Sequence, residues 1–256
     1  ASEAKLVMDR AIAGREKGSM SKSPAKSKAA RPVGPVVDPL PPGSKPDLRP
    51  LHGRWVRLDP VSVARHAQSL YASFDGKDPE GDIWTYLGYG PWQDFDTFAE
   101  WLKEREASRD PWFYAFVDRA TGEALGMGSF MRADPANGVI EIGHIWMSPA
   151  MQRTRLSTET IFLMMRHAFD DLGVRRLEWK CDSLNAPSRA AALRFGFTFE
   201  GIFRQHFIVK GRNRDTAWFS IIDTEWPRIR EGFERWLADD NFDATGKQKN
   251  KLSVSP

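Results

Sequence analysis

Hydrophobic positions along this chain change period at one place, and the other elements can be ordered around it. Val139-Ile-Glu-Ile-Gly-His-Ile-Trp-Met147 is rich in β-branched and aromatic residues and stops at Ser148-Pro149, which predicts a strand. A short polar turn, Gln152 to Ser157, follows. Then Ile161, Met164, Met165, Ala168, Phe169 and Leu172 recur at helical spacing. Upstream, Trp55-Val-Arg-Leu58 alternates and predicts a first strand. Ser62 to Phe74 predicts a helix that Ser62 can cap. Asp94 to Ser108 predicts a second helix, capped by Asp94 or Asp96, with Phe95, Phe98, Trp101 and Leu102 on one face. The polar, Gly-rich loop between these helices, Asp75 to Gly90, carries Trp84, Tyr86, Leu87 and Tyr89.

Three strands, Trp112–Asp118, Ala124–Arg132 and the Val139 strand, are joined by short turns at Ala120–Glu123 and Pro135–Gly138. That is the pattern of an antiparallel meander, and Gly126 and Gly128 allow close backbone approach. Downstream, Arg175 to Asp182 reads as a strand, so strand, helix and strand form a unit whose two strands lie parallel or splay apart. Asn185-Ala-Pro-Ser188 opens a short helix, Ser188 to Phe195, with Pro187 suited to its start and Gly196 to its end. Phe197–Val209 and Asp215–Asp223 form a hairpin about Lys210–Asn213. Glu225 to Leu237 is a terminal amphipathic helix before a polar tail from Asn241. Periodicity alone therefore predicts a mixed α+β domain.

Composition changes the picture at the ends. Residues 1–50 hold eight of the 17 prolines and a Ser/Lys/Ala/Pro tract, a composition that cannot offset its ordering entropy by burial. They are expected to be a disordered or extended arm, with a short helix over Ala4–Arg15. Gly18-Ser-Met20 reads as a cloning junction that would make residues 1–19 foreign. The folded part is expected over 51–242 and a flexible tail over 243–256. The net charge of +3 is uneven: residues 1–50 carry ten Lys/Arg against five Asp/Glu, and the rest 27 against 29. The basic character belongs to the arm, which weakens any case that the folded part binds nucleic acid. One cysteine, Cys181, excludes an internal disulfide framework and a Cys-rich metal site, and favours a reducing, cytoplasmic compartment. No run of 18 apolar residues and no secretory signal is visible, so no membrane partner is expected.

Candidate chemistry starts at the change of period. A strand that feeds a helix through a tight turn leaves backbone N–H groups unpaired at the helix start, and with the helix dipole they suit a pyrophosphate. The turn Gln152-Arg-Thr-Arg155-Leu-Ser157 resembles the acetyl-CoA segment of GNAT-superfamily N-acetyltransferases, Arg/Gln-x-x-Gly-x-Gly/Ala, with Arg155 in place of the first Gly and Ser157 at the last position. The wider pattern resembles the RimJ/RimL-type branch over Leu51 to Phe242. That resemblance implies a mostly antiparallel central sheet flanked by helices, with a splayed parallel strand pair at the CoA site.

It also implies an acetyl-CoA-dependent transfer to a primary amine by direct attack in a ternary complex, with acetyl-CoA as co-substrate and no metal. The pantetheine arm would pair along Ile145 and Met147, and the Met147 N–H would face the thioester carbonyl. Gln152, Arg153, Thr154, Arg155, Leu156, Ser157 and Thr158 would hold the pyrophosphate, with the Arg155 and Arg153 guanidiniums as added charge or Arg155 simply in solvent. Asn185 and Ser188 match the branch's Asn-x-x-Ser. There the Asn steadies the pantetheine arm and the Ser protonates the departing thiolate; an N-cap is the structural role open to Ser188.

For the base, Glu141, His144 and Glu200 are candidates. By period two, Glu141 shares a face with Gly143, Ile145 and Met147, and His144 lies opposite. Trp84 and Tyr86 either line the acceptor pocket or cover the core edge, and His206 and Asp215 border the acceptor side. The acceptor is expected to be a protein N-terminus or a small amine, and a homodimer is left open. A CoA-binding regulatory module without turnover, and a nucleic-acid-binding protein acting through the basic arm, are the other readings.

Overall fold

The computed structural model describes residues 31–254; the expectations for the Ala4–Arg15 helix, the Ser/Lys tract and the junction at 18–20 lie outside them. Residues 31–38 carry no helix or strand. The domain that follows contains, in chain order, β1 (Leu51–His52), β2 (Val56–Pro60), α1 (Val63–Phe74), α2 (Phe95–Ala107), β3 (Trp112–Asp118), β4 (Ala124–Asp134) and β5 (Val139–Met147). It continues with α3 (Arg155–Arg166), β6 (Arg176–Asp182), α4 (Ala186–Arg194), β7 (Thr198–Val209), β8 (Arg212–Ile222) and α5 (Trp226–Trp236). The eight strands form one sheet in the order β1-β2-β3-β4-β5-β6-β8-β7. All pairs are antiparallel except β5 with β6. A mixed, mostly antiparallel sheet flanked by helices is thus the observed architecture, as expected.

β3 shows why the sheet is covered on both faces. Trp112 through Val117 are all buried. Tyr114 and Phe116 pack with Ile161, Phe162, Met165, Ile229 and Phe233 of α3 and α5. Phe113, Ala115 and Val117 pack with Leu70, Phe74, Phe98 and Leu102 of α1 and α2. Period two sends alternate side chains to two separate apolar layers, and each buried Phe contributes roughly 1.5–3 kcal/mol.

Element boundaries follow local chemistry. Asp94 caps α2, its carboxylate accepting from the Thr97 N–H at 2.8 Å. Ser62 stands at the α1 N-cap but its hydroxyl makes no capping bond; instead its N–H donates to His66 Nδ1 at 3.1 Å. The helical run after the turn does not continue unbroken to Leu172: α3 ends at Arg166 and a wider π-turn spans His167–Asp171. The short helix begins at Ala186 rather than Ser188, because Asn185 takes the N-cap position.

Residues 39–50 of the expected arm and 243–254 of the expected tail make contacts with the domain. Pro41 and Pro42 lie within 3 Å of where side chains would start at Gly138 and Gly173, and Arg49 pairs with Asp171 at 2.6 Å. At the other end Val254 is buried, Gln248 accepts from the Trp236 indole at 3.0 Å, and Arg228 donates to the Val254 carbonyl. Residues 243–254, expected as part of a flexible tail, make these contacts with α5. Among the described residues no helix is long and apolar enough to cross a membrane.

One buried carboxylate ties α3 to the sheet edge. Glu159 accepts the N–H groups of Arg54, Trp55 and Val56 at 2.6, 2.8 and 2.9 Å. Glu159→Ala strands those donors beside an apolar layer. It is expected to lower unfolding free energy by about 3 kcal/mol, measured by urea denaturation. A loss under about 1 kcal/mol would show that the turn relaxes and the nest is dispensable.

Candidate active site

β5 and β6 pair only from Val139 with Arg176 to Ile142 with Trp179. Beyond that point each keeps its other neighbour: Met147 stays opposite Gly126 of β4, and Asp182 opposite Thr216 of β8. The two strands therefore part, leaving a wedge open between them. The cause is a bulge in β5. Ser129 faces Gly143, yet Met127 faces Trp146, so β5 carries one extra residue, and His144 sits at φ 52°.

The extra residue resets the side-chain phase. His144 stacks on Tyr89 and contacts Phe113, in the layer under α1 and α2, while Ile145 and Met147 pack toward the α3 layer. The expectation that Ile145 and Met147 share a face with Glu141 is thus corrected, and His144 moves to the Glu141 side. Strict period two fails where a strand bulges. The backbone consequence is useful. Ser148 N–H donates to the Leu125 carbonyl at 2.8 Å, so by antiparallel alternation the Met147 N–H points away from β4, into the wedge. The Gln152 side-chain amide donates to the Met147 carbonyl at 2.9 Å, anchoring the turn to this strand end.

The helix mouth lies at the end of that turn. Thr154 is the N-cap: its hydroxyl oxygen accepts from the Ser157 N–H at 3.4 Å and donates to the Met151 carbonyl at 2.7 Å. The N–H groups of Arg155 and Leu156 are left without an acceptor among the described residues. Ser157 and Thr158 are buried, and Thr158 Oγ1 accepts from Arg194 of α4 at 3.2 Å. Arg153 is exposed at φ 60°. Arg155 is half-buried and does not simply stand in solvent. Its guanidinium lies 4.9 Å from the Trp55 ring and 5.8 Å from Phe242, a cation–π contact.

Across the wedge stands α4. Asn185 Oδ1 accepts the Ser188 N–H at 3.0 Å, so Asn185, not Ser188, is the cap. Ser188 Oγ accepts from the Trp179 indole N–H at 3.0 Å, which leaves its own proton available to another acceptor. The Cys181 thiol is its neighbour. Burial raises that thiol above its ordinary range, and the Ser188 hydroxyl pulls the other way.

The remaining candidates divide clearly. Glu141 is buried, 2.8 Å from Lys180 Nζ and 3.6 Å from Arg132. Burial raises its carboxyl above the ordinary value, and Lys180 offsets part of that rise. Glu200 is held by Arg176 and Ser220, which keep its carboxyl below its usual range and commit it to an ion pair. Trp84 is 1% exposed and packs against Phe74, Trp92 and Trp146, so it belongs to the aromatic layer and does not line a pocket. Tyr86 Oη donates to the Leu184 carbonyl at 3.1 Å, bringing the 75–90 loop against the start of α4. Asp215 accepts from Gln205 N–H at 2.7 Å and Asn213 Nδ2 at 3.0 Å and so braces its own hairpin. His206 packs between Phe207 and Trp218. Among the described residues no group of His, Cys, Asp and Glu could hold a metal ion.

A family model described as an acetyltransferase (GNAT) domain matches residues 56–198. The chain belongs to the GNAT acetyltransferase family. A crystal structure of a GCN5-related N-acetyltransferase from Brucella melitensis superposes with a TM-score of 0.80 at 47% identity, covering 83% of this chain and 96% of that one. A probable GNAT-family acetyltransferase from Chromobacterium violaceum gives 0.71 at 42% identity over 78% of this chain and all of the other, 100%. The ribosomal-protein-serine acetyltransferase of Escherichia coli is 30% identical over 104 residues, 40% of this chain; the match spans a little over half of that relative's own length, 58%. The RimJ/RimL likeness read from the sequence is therefore shared with a named relative.

Within this GNAT domain, the sequence reading missed Lys180, Arg132, Arg194 and Glu159. Alternation in Leu177-Glu-Trp-Lys180 places Glu178 and Lys180 on one face of β6, a signal that could have paired them with Glu141. Arg194 and Glu159 act across long sequence separations, and no local pattern marks them. Burial and the nearby Arg105, Arg132 and Arg214 lower the His144 imidazole from 6.5 to about 4. His144 is therefore neutral at pH 7. As pH falls below 6.5 the unfolded chain takes up a proton that the folded chain refuses until about 4, so stability is lost on acidification across that window. His144→Gln is expected to remove about 3 kcal/mol of that pH dependence, read from urea midpoints between pH 7 and 4. An unchanged slope would mean that His144 titrates normally.

Proposed function

We propose that the protein is an acetyl-CoA-dependent N-acetyltransferase that transfers directly to a primary amine in a ternary complex. The observation that carries this reading is the wedge between β5 and β6 with the Met147 N–H directed into it. A strand-like chain can pair there with the free edge of β5, as the pantetheine arm of acetyl-CoA requires. The residues fit that group: Arg155 and Leu156 present free N–H groups at the end of the wedge where a pyrophosphate would lie, and the α3 dipole favours negative charge there. Gln152, Thr154, Ser157 and Thr158 shape this mouth through the bonds described above, and Arg153 remains free to add charge. Bound acetyl-CoA would supply an activated acetyl group.

The chain's own residues then have separate tasks. The Met147 N–H donates to the thioester oxygen as negative charge builds on it. Asn185 fixes the α4 start and through it Ser188. Ser188, already accepting from Trp179, donates its proton to the departing sulfur. Glu141 serves as the base, and burial raises its proton affinity; its ion pair with Lys180 makes it a group that passes a proton through water rather than one that strips the amine directly. His144, neutral and on the same side after the bulge, is the alternative acceptor. The Escherichia coli relative named a ribosomal-protein-serine acetyltransferase supports a protein acceptor, and we take its N-terminal amine as the group modified.

Thiol release from acetyl-CoA across a panel of peptides and small amines tests the reading; no release with any acceptor, alongside CoA binding by calorimetry, would leave a binding module. Ser188→Ala is expected to lower kcat about 10- to 100-fold with little change in the KM for acetyl-CoA. Asn185→Ala is expected to weaken CoA binding. Wild-type kcat in Ser188→Ala would remove Ser188 as the acid.

A further inference from the structure

On the acceptor side of the wedge the side chains form a closed circuit of contacts. Glu141 meets Lys180 at 2.8 Å, and Lys180 Nζ lies 3.9 Å from the Trp218 ring. Trp218 lies 6.1 Å from His206, whose ring is tilted against Phe207 at 3.8 Å. Both Arg132 and Arg214 hold their guanidinium carbons 5.6 Å from the Phe207 ring, and Arg132 returns to Glu141 at 3.6 Å. Three buried polar atoms on this wall, Arg214 Nε, His206 Nδ1 and Trp218 Nε1, have no hydrogen-bond partner among the described residues. Eleven such atoms occur among the described residues, and these three gather on one wall beside two guanidiniums, where an incoming ligand would supply missing bonds.

The charges say which ligand. Lys180 is matched by Glu141 and Glu178, and Arg176 by Glu178 and Glu200. Arg132 shares only the already paired Glu141, and Arg214 has no carboxylate within ion-pair distance among the described residues. Asp182 attracts Arg214 from farther off and is itself held by the Leu184 N–H at 2.9 Å. Burial and the neighbouring Arg132, Arg214 and Lys180 hold the His206 imidazole below its ordinary value, as a positive local potential requires. The phosphates of CoA belong at the α3 mouth, beside Arg155 and Leu156, and not on this hairpin.

We propose that Arg132 and Arg214 bind an acidic group of the acceptor, so that the preferred acceptor is a peptide N-terminus with Asp or Glu close behind its amine. This rests on the transferase reading. Guanidinium pairs recognise carboxylates with strong, directional bonds, and Phe207 holds the two cations in place. A polyamine would meet like charge here and is disfavoured.

The test uses the whole chain, acetyl-CoA and two peptides that share an N-terminal Ser, one continuing with Asp-Glu and the other with Lys-Lys. The acidic peptide is expected to show kcat/KM at least about tenfold higher. Arg132→Gln and Arg214→Gln should each remove most of that preference and leave the KM for acetyl-CoA unchanged, with folding checked by thermal melts. Arg132 is 46% exposed, so its substitution carries the test if Arg214→Gln does not fold. Thiol release that ignores peptide charge or favours Lys-Lys overturns this inference and leaves the transferase reading standing. A raised KM for acetyl-CoA without a change in peptide preference assigns the guanidiniums to CoA phosphates and also overturns it. Release with neither peptide nor any other amine overturns the transferase reading, and this inference with it.

Discussion

Successive backbone N–H and C=O groups of a strand point alternately toward its two neighbours, and that constraint organises this molecule. β5 pairs with β4 from Val139 to Met147 around a bulge, and with β6 only over Val139–Ile142. The extra residue at His144 bends β5 away from β6 while preserving its ladder to β4, and β6 is held on its other side by seven register pairs with β8. The opening is therefore not a defect in packing. It is what remains when two strands each stay with a different neighbour, and it leaves the donors on the far edge of β5 open to whatever enters.

The surroundings keep that opening rigid. Below, α3 is tied to the sheet edge by Glu159 and to the end of β5 by Gln152, while Arg194 links it to α4. Above, the aromatic layer of Trp84, Tyr89, Trp92 and Trp146 packs under the bulge, and Lys210 from the β7–β8 hairpin donates to the carbonyls of Trp84 and Gly90. Both banks of the wedge are thus held by long-range contacts made outside it. Preorganised donors in such a cleft act without the reorganisation that water would demand.

Electrostatics divides the labour between the two faces. The α3 mouth offers backbone donors and a helix dipole to phosphate. The opposite face carries a buried ion-pair network centred on Lys180, with Arg132 and Arg214 in excess over nearby acids. A buried neutral histidine and a buried carboxylate with raised proton affinity lie on this same face.

What the sequence determined by itself was whatever short range controls. The order of elements, the meander, the turn after Met147 and the Asn185–Ser188 pair follow from periodicity, turn residues and a local motif, and each is found in the fold. Where the reading failed, contacts between distant residues decided. Period two placed Ile145 and Met147 with Glu141, and a bulge visible only against β4 moved them. Trp84 looked like a loop aromatic but is buried because α1, α2 and Trp146 close over it. Arg155 replaces a motif glycine, and only the position of Trp55 and Phe242, a hundred and eighty-seven residues apart, shows where its charge goes. Local pattern specifies which strand a residue belongs to; only pairing across the sheet specifies which face it looks out from and whose charge it meets.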